Sequence, residues 1–301
     1  MNRLLFLILF CFTAVITAQN PNWSSVKETN INVGSALSYD IFTNQDGNHI
    51  IVQESNNLKY YKMNLNGQAG SPITLESTSV VSPSITGDGT RLYVVYRRSS
   101  ESYIRAKYST NGGSSWSNFP YYIMESGGAI ESVISNGKLH VTYQLGNQIK
   151  YSRNLLNQTT WTTPFNVSNT ETASAPRIAA WSNGSADEVF FVFRTSSTAG
   201  KWRKYNVAAN QWSSIFNGYS VSPQDLMTSG PAGLTVGSNY VRYYYYHWTF
   251  NTPFFNYIQF NKNGGVVSNM YPEAQYTTRV HNTVTFDVLD IRHIGYAGAG
   301  C

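Results

Sequence analysis

The sequence predicts an all-β chain, a β-propeller of six four-stranded blades. Three observations carry this: a composition of strand and turn formers, a unit of about 47 residues written six times, and a length that six such units fill. Aromatic residues make up 15% of the chain, with 22 tyrosines, against 12% charged, and Asn, Ser, Thr and Gly fill most polar positions. Aromatic side chains suit a pleated, half-buried surface and small polar residues suit the turns between short strands, so the balance is that of an extracellular β protein.

The chain opens on a leader. Arg3 precedes an apolar run from Leu4 to Ile16, and Ala18 stands before a polar stretch. This is the pattern of a secretory signal peptide over residues 1-18, too short to be read as a membrane span. A lipoprotein signal around Cys11 is the rival reading, opposed by the bulky Phe10 before it. Residues 19-301 are then one domain, with no later stretch long and apolar enough to cross a membrane. Its expected location is secreted or extracellular, or periplasmic if the source is Gram-negative. Cys301 is the cysteine left after the leader, so no internal disulfide is expected. It is either an unpaired tail residue or the site of an intermolecular cross-link.

Each unit starts with two apolar runs joined by a turn: Ser38 to Gln53, Ser82 to Tyr96, Glu131 to Tyr143, Pro176 to Phe193, Ala232 to Tyr246 and Val284 to Tyr296. Asp46-Gly47, Asp88-Gly89, Asn136-Gly137 and Asn183-Gly184 give the first four the residues that tolerate positive φ in a tight hairpin, and the last two carry a weaker signal. A third run follows in five units: Leu58 to Gln68, Tyr103 to Ser117, Ile149 to Thr162, Lys201 to Ser213 and Phe255 to Gly265. Trp116, Trp161 and Trp212 close three successive units in phase. The sixth unit stops after its first hairpin, so Asn22 to Val33 is expected to supply its outer strand and join the two ends. A five- or seven-bladed count is the alternative.

Tyr108 to Ser117 reads YSTNGGSSWS. It resembles the Asp-box, or bacterial neuraminidase repeat, of sialidase-like propellers, whose pattern is Ser-x-Asp-x-Gly-x-x-Trp. Ser109, Gly113 and Trp116 match, and Asn111 stands in the aspartate's place. Weaker copies, both without the glycine, are Ser152, Asn157 and Trp161, then Asn206, Asn210 and Trp212. The resemblance implies a structural turn between the outer strands of a blade, away from the ligand face. The residues suit that role: Asn111 can bond backbone groups of its own turn, Gly112 and Gly113 permit positive φ, and the tryptophan packs back between strands.

A propeller places its ligand where innermost strands begin and where second strands hand over to third strands. At the first set of positions lie Asp40, Ser84, Glu131, Arg177, Arg279 and His281. At the second lie Glu54, Arg97, Arg98, Gln144, Arg194, His247, Trp248, Arg292 and Tyr296. The residues expected to bind ligand are Arg97, Arg177, Arg194, His247, Trp248 and His281, although each one alone also reads as a loop residue or as half of a blade-to-blade ion pair. Sialidases of this fold resemble one another in an arginine triad that clamps a carboxylate, a tyrosine nucleophile polarised by a glutamate, and an aspartate acid/base. Arg97, Arg177 and Arg194 with Glu131, Tyr296 and Asp40 are what that resemblance implies for an enzyme. The family's Arg-Ile-Pro signature is absent from the first unit, and Pro176-Arg177-Ile178 has another order.

The function expected is binding of a carbohydrate or a glycosylated partner without catalysis, because aromatic and amide-rich loops suit sugar faces and hydroxyls. The alternative is a glycan-active enzyme, either a sialidase-like hydrolase or a polysaccharide lyase using His247 or His281 with a tyrosine. A formal charge of +5 with basic residues scattered singly gives no support to nucleic-acid binding. There is no GxSxG, phosphate loop or HExxH, and the five histidines have no metal-ligand spacing, so neither metal nor cofactor is expected. Asn-x-Ser/Thr triplets begin at Asn22, Asn157, Asn166 and Asn183, which matter if the host glycosylates.

Overall fold

The computed structural model describes residues 36-297, apart from 65-66, 90, 157-158, 184, 198, 221-230, 250-251, 265, 276-280 and 287-291. The leader, the expected outer strand from Asn22 to Val33, Asn157, Arg279 and Cys301 lie outside the described residues. All elements among the described residues are strands.

The strands fall into antiparallel sheets in chain order. The first sheet holds β1 (Ala36–Asn44), β2 (Gly47–Glu54), β3 (Asn57–Met63) and β4 (Ile73–Glu76). The second holds β5 (Val80–Asp88), β6 (Arg91–Arg98), β7 (Arg105–Ser109) and β8 (Ser117–Asn118). The third holds β9 (Gly128–Ser135), β10 (Lys138–Leu145), β11 (Gln148–Leu155) and β12 (Phe165–Asn166). In the fourth, β13 (Ser174–Ser182), β14 (Asp187–Arg194), β15 (Ala199–Asn206) and β16 (Gln211–Trp212) are joined by β17 (Phe216–Ser220), which also pairs with β15. The fifth holds β18 (Pro231–Val236), β19 (Tyr240–Thr249), β20 (Thr252–Asn261) and β21 (Val266–Gln275). The last is a two-stranded sheet of β22 (His281–Phe286) and β23 (Arg292–Ala297). The leading strands lie side by side in order, β1 against β5, then β9, β13, β18 and β22, and β22 also lies against β1.

The core sits between neighbouring sheets. In β6, Leu92, Val94 and Tyr96 pack with Ile51, Leu58 and Tyr60 of the first sheet, while Tyr93 and Val95 pack with Leu139, Val141 and Tyr143 of the third. β14 repeats this: Val189, Phe191 and Phe193 join the third sheet, and Phe190 and Val192 join the fifth. Successive side chains point to opposite faces of a strand, so a strand buried on both faces needs an unbroken apolar run, as LYVVY and VFFVF supply. Fully burying such side chains contributes roughly 1.5–3 kcal/mol each.

The hairpin turns differ in part from expectation. Ser135 pairs with Lys138, so Asn136-Gly137 is the two-residue turn predicted, with φ of 47° and 69°. In the first sheet Asn44 pairs with Gly47, so the turn is Gln45-Asp46 and Gly47 opens the next strand. In the fourth Ser182 pairs with Asp187, which leaves a four-residue loop. β20 begins at Thr252 rather than at Phe255, since pairing with β19 continues out to Thr249 and Thr252. His247 and Trp248 therefore stand within the ladder, opposite Phe254 and Pro253, and not in a loop.

The leading strands of five sheets carry a register shift near their start, and in three of them a non-glycine residue there has positive φ: Ser82 at 42°, Ala129 at 47° and Ala175 at 50°. At β5 and β13 the residues around the bulge also meet the preceding sheet's second strand, where Gln53 bonds the Val80 carbonyl and Gln144 the Ala175 N–H.

Candidate functional site

The leading strands bring Asp40, Ser84, Glu131 and Arg177 onto equivalent positions of β1, β5, β9 and β13. Asp40 Oδ2 accepts from the Ile85 N–H and Oδ1 from the Ile41 N–H, both at 2.9 Å. Ser84 Oγ accepts from the Ser132 N–H at 3.0 Å, and the two hydroxyls lie 2.9 Å apart. One step further along, the Arg177 guanidinium donates to the Glu131 carboxylate. Each side chain thus reaches across to the next leading strand, and the row joins four sheets.

The electrostatics show how close this row is. Burial pushes the Glu131 carboxyl up to about 7, with Asp40 adding to the rise and Arg177 opposing it. Burial also raises Asp40, against the two backbone N–H groups and Arg177. Glu131 and Arg177 keep side-chain exposures of 23% and 25%, so the row is enclosed yet open to solvent. Its Glu131–Arg177 end offers a carboxyl and a guanidinium, a pair able to exchange several hydrogen bonds with a polyhydroxylated molecule, while the Ser84 hydroxyl is buried.

The other expected residues lie elsewhere. Arg97, at the end of β6, donates through Nε to the Gly127 carbonyl at 3.1 Å and through a terminal nitrogen to the carbonyls of Arg98, Ser99 and Glu101 at 3.3, 3.4 and 2.9 Å. Gln53 and Gln144 hold the same place in their sheets: Gln53 donates to the Val80 carbonyl at 2.8 Å, and Gln144 accepts from the Ala175 N–H at 3.2 Å. The position is a tie between successive sheets. Arg194 makes one long bond, Nε to Ser174 Oγ at 3.4 Å. In the backbone, His281 pairs with Ala297, and Tyr296 with Asn282. The side chains of His247, Trp248, His281 and Tyr296 lie outside the described residues.

Ser109, Asn111, Gly113 and Trp116 form one hydrogen-bonded turn between β7 and β8. Ser109 Oγ donates to Asn111 Oδ1 and accepts from the Gly113 N–H, both at 2.9 Å, and Asn111 Oδ1 accepts from the Ser115 N–H at 3.0 Å. Trp116 Nε1 donates to the Gly113 carbonyl at 3.1 Å, and its ring meets Tyr60 of the first sheet edge-on at 5.0 Å. Tyr60 in turn is bonded to His49 Nδ1 at 2.7 Å. The contact recurs between the third and fourth sheets, where Trp212 meets Tyr151 at 5.6 Å and Tyr151 is bonded to His140 Nδ1 at 2.7 Å.

A second charged group surrounds the loop after β6. Glu76, almost buried, accepts from Arg98 Nε at 2.9 Å and from the Tyr96 hydroxyl at 3.0 Å. Glu101 accepts from Arg98 at 3.2 Å, from Arg105 Nε at 2.8 Å and from the Tyr103 hydroxyl at 3.0 Å. Sequence reading named Arg98 but passed over Glu101 and Tyr122, and it placed Tyr103 and Arg105 in the third run of the second unit without giving them a role. The strict alternation of YIRAK was the one signal that could have placed Tyr103 and Arg105 on a common face. Among the described residues no group of three or more His, Cys, Asp or Glu could hold a metal, and no helix is long and apolar enough to cross a membrane.

Successive four-stranded antiparallel sheets with leading strands side by side define an all-β, propeller-like protein. Solved structures agree on this fold. The chain is similar to AofleA from Arthrobotrys oligospora, with a TM-score of 0.63 at 10% identity over 89% of this chain and 88% of that one. It is also similar to a mutant of Aleuria aurantia lectin in complex with alpha-methyl-L-fucoside, with a TM-score of 0.52 at 15% identity over 79% and 80% of the two chains. A nidogen/laminin complex gives 0.50 at 14% identity over 82% and 85%. No protein-family model and no curated protein sequence matches the chain.

Proposed function

We propose that this chain is a secreted six-bladed propeller, completed at its last blade by the segment after the leader, that binds a glycan or a glycosylated partner without cleaving it. The observation that carries the reading is the placement of Asp40, Glu131 and Arg177 at equivalent positions of the leading strands, with Arg177 bonded to Glu131 and both of these side chains open to solvent. The lectin among the structural neighbours is in keeping with it, as a likeness of fold. The kinship to sialidase-like propellers rests on the Ser109 to Trp116 turn, whose bonding suits a structural box.

Binding is favoured over catalysis because both oxygens of Asp40 are already held by backbone N–H groups, which ties down the would-be acid/base. One observation favours the enzymatic reading: a Glu131 carboxyl that holds its proton to about 7 suits a general acid. A glycan array paired with product release from sialosides and acidic polysaccharides separates the two. Binding lost in Arg177→Ala without turnover by the wild type supports the first reading. Turnover that disappears in Glu131→Gln establishes the second, and a protein that binds no glycan defeats both.

A further inference from the structure

We propose that Tyr103, Tyr122 and Met124 form a second subsite, a stacking platform for a neutral pyranose residue, on the outer part of the second sheet. The inference rests on the glycan reading above but uses none of the Asp40, Glu131 and Arg177 row. Its origin is strand alternation. Past the end of β8 the chain resumes pairing with the strand before β7: Ile104 and Ile123 exchange N–H to carbonyl bonds at 2.9 and 3.0 Å, and both side chains are buried at 1% exposure. With the isoleucines turned inward, Tyr103, Arg105, Tyr122 and Met124 share the opposite face.

The platform is exposed and has a fixed floor. Tyr122 and Met124 are 40% and 76% exposed. The Tyr103 and Tyr122 rings lie 4.7 Å apart at 40°, and the Arg105 guanidinium sits 5.3 Å from one ring centre and 5.6 Å from the other. Glu101 and Arg105 both bond the Tyr103 hydroxyl, at 3.0 and 2.9 Å. The Tyr122 hydroxyl has no partner among the described residues and is left to a ligand. Phe165, also exposed at 38%, stacks flat on Trp212 at 4.3 Å and 12° and brings no hydroxyl to a ligand.

The charges select the class of sugar. Arg98 and Arg105 are matched by Glu76 and Glu101, Arg97 is held by carbonyl groups, and Lys107, on the same face, is turned to the neutral Asn118 at 2.8 Å. A uronate or sulfate would find the guanidiniums around the rings already engaged. A neutral pyranose with mainly equatorial hydroxyls presents a flat C–H face to the rings and hydroxyls to the Tyr122 oxygen at the rim.

Calorimetric titration of the full chain with xylohexaose, cellohexaose, chitohexaose and, as a charged control, hexagalacturonate tests this. At least one neutral hexaose should bind, with affinity lowered about tenfold in Tyr122→Ala, kept in Tyr240→Ala, a change at a comparably exposed tyrosine of β19, and not exceeded by hexagalacturonate. Tyr122 is at the surface, so the variant should melt as the wild type does, which keeps the comparison clean. Unchanged affinity in Tyr122→Ala, or binding confined to hexagalacturonate, overturns the platform while leaving glycan recognition at Arg177 standing. Failure of every glycan, there and on the array, defeats both readings. Conversion of a self-associating wild type to a monomer by Tyr122→Ala would assign the patch to a second copy of the chain and overturn the sugar assignment.

Discussion

Replacing Gly113 by alanine should damage the fold far more than the same change one residue earlier. Gly113 has φ of 87°, and a Cβ built there falls 2.0 Å from the Tyr60 hydroxyl oxygen and 2.4 Å from the carbon that bears it. Tyr60 has little room to retreat: it is 2% exposed, bonded to His49 at 2.7 Å and packed against Trp116. The left-handed backbone costs an alanine about 1 kcal/mol, and overpacking a filled contact costs about 1–3 kcal/mol more, so the variant should lose about 3 kcal/mol. Gly112 has φ of 64° but its nearest neighbour is the flexible end of Lys62 at 3.5 Å. Gly112→Ala should therefore lose about 1 kcal/mol, the backbone cost alone. Urea unfolding of both variants, followed by tryptophan fluorescence and far-UV circular dichroism, measures the difference. Equal losses in the two would refute the idea that this turn locks the second sheet onto the first.

Further outcomes follow from the same contacts. Arg97→Ala should destabilise the fold by about 1–3 kcal/mol in thermal melts, because it leaves the Gly127 and Glu101 carbonyls unpaired, and Arg97→Lys should not restore it, since an ammonium cannot span those positions. His140 is held down to about 3 by burial, so the stability from its neutral form is complete above its ordinary value near 6.5 and is lost as pH falls below that. His140→Phe, compared with wild type between pH 7 and 4, should lose less on acidification. Glu131 has the opposite sign: its neutral form is favoured, so the associated stability is present below 4.5 and lost as pH rises through about 7. The melting temperature of Glu131→Gln relative to wild type should therefore rise from pH 4.5 to pH 8, and a flat difference would contradict the assignment.

The architecture was legible where repetition amplified a weak signal. One alternating run predicts little, but runs such as Ser82 to Tyr96, recurring with a turn and a tryptophan, define a stack of small sheets. Errors came where pairing outcompeted turn chemistry. Between Thr249 and Thr252 stand Phe250 and Asn251, with no glycine, so nothing in the letters announced the hairpin that continues β19 into β20 and draws His247 and Trp248 into a ladder. At the site, spacing alone placed Asp40, Glu131 and Arg177 on equivalent leading strands, and the structure brings these three together. Spacing could not show that Arg97, although equivalent to Gln53 and Gln144, commits its donors to backbone carbonyls, because that depends on where the next sheet begins. Nor could it reveal the Tyr103 and Tyr122 pair, which forms through a bridge between residues that share no repeat position.

The outermost strands β8, β12 and β16 are each two residues long. A strand that short presents almost no free backbone to a passing chain, so the rims at β8 and β12 are poor templates for cross-molecular strand addition, while the fourth rim is extended by the five residues of β17. The fifth sheet ends instead on the ten-residue β21. Edge-to-edge association should be easiest there, where Pro272 is a built-in safeguard, and a single lysine introduced between Val266 and Met270 would be the simplest way to suppress it.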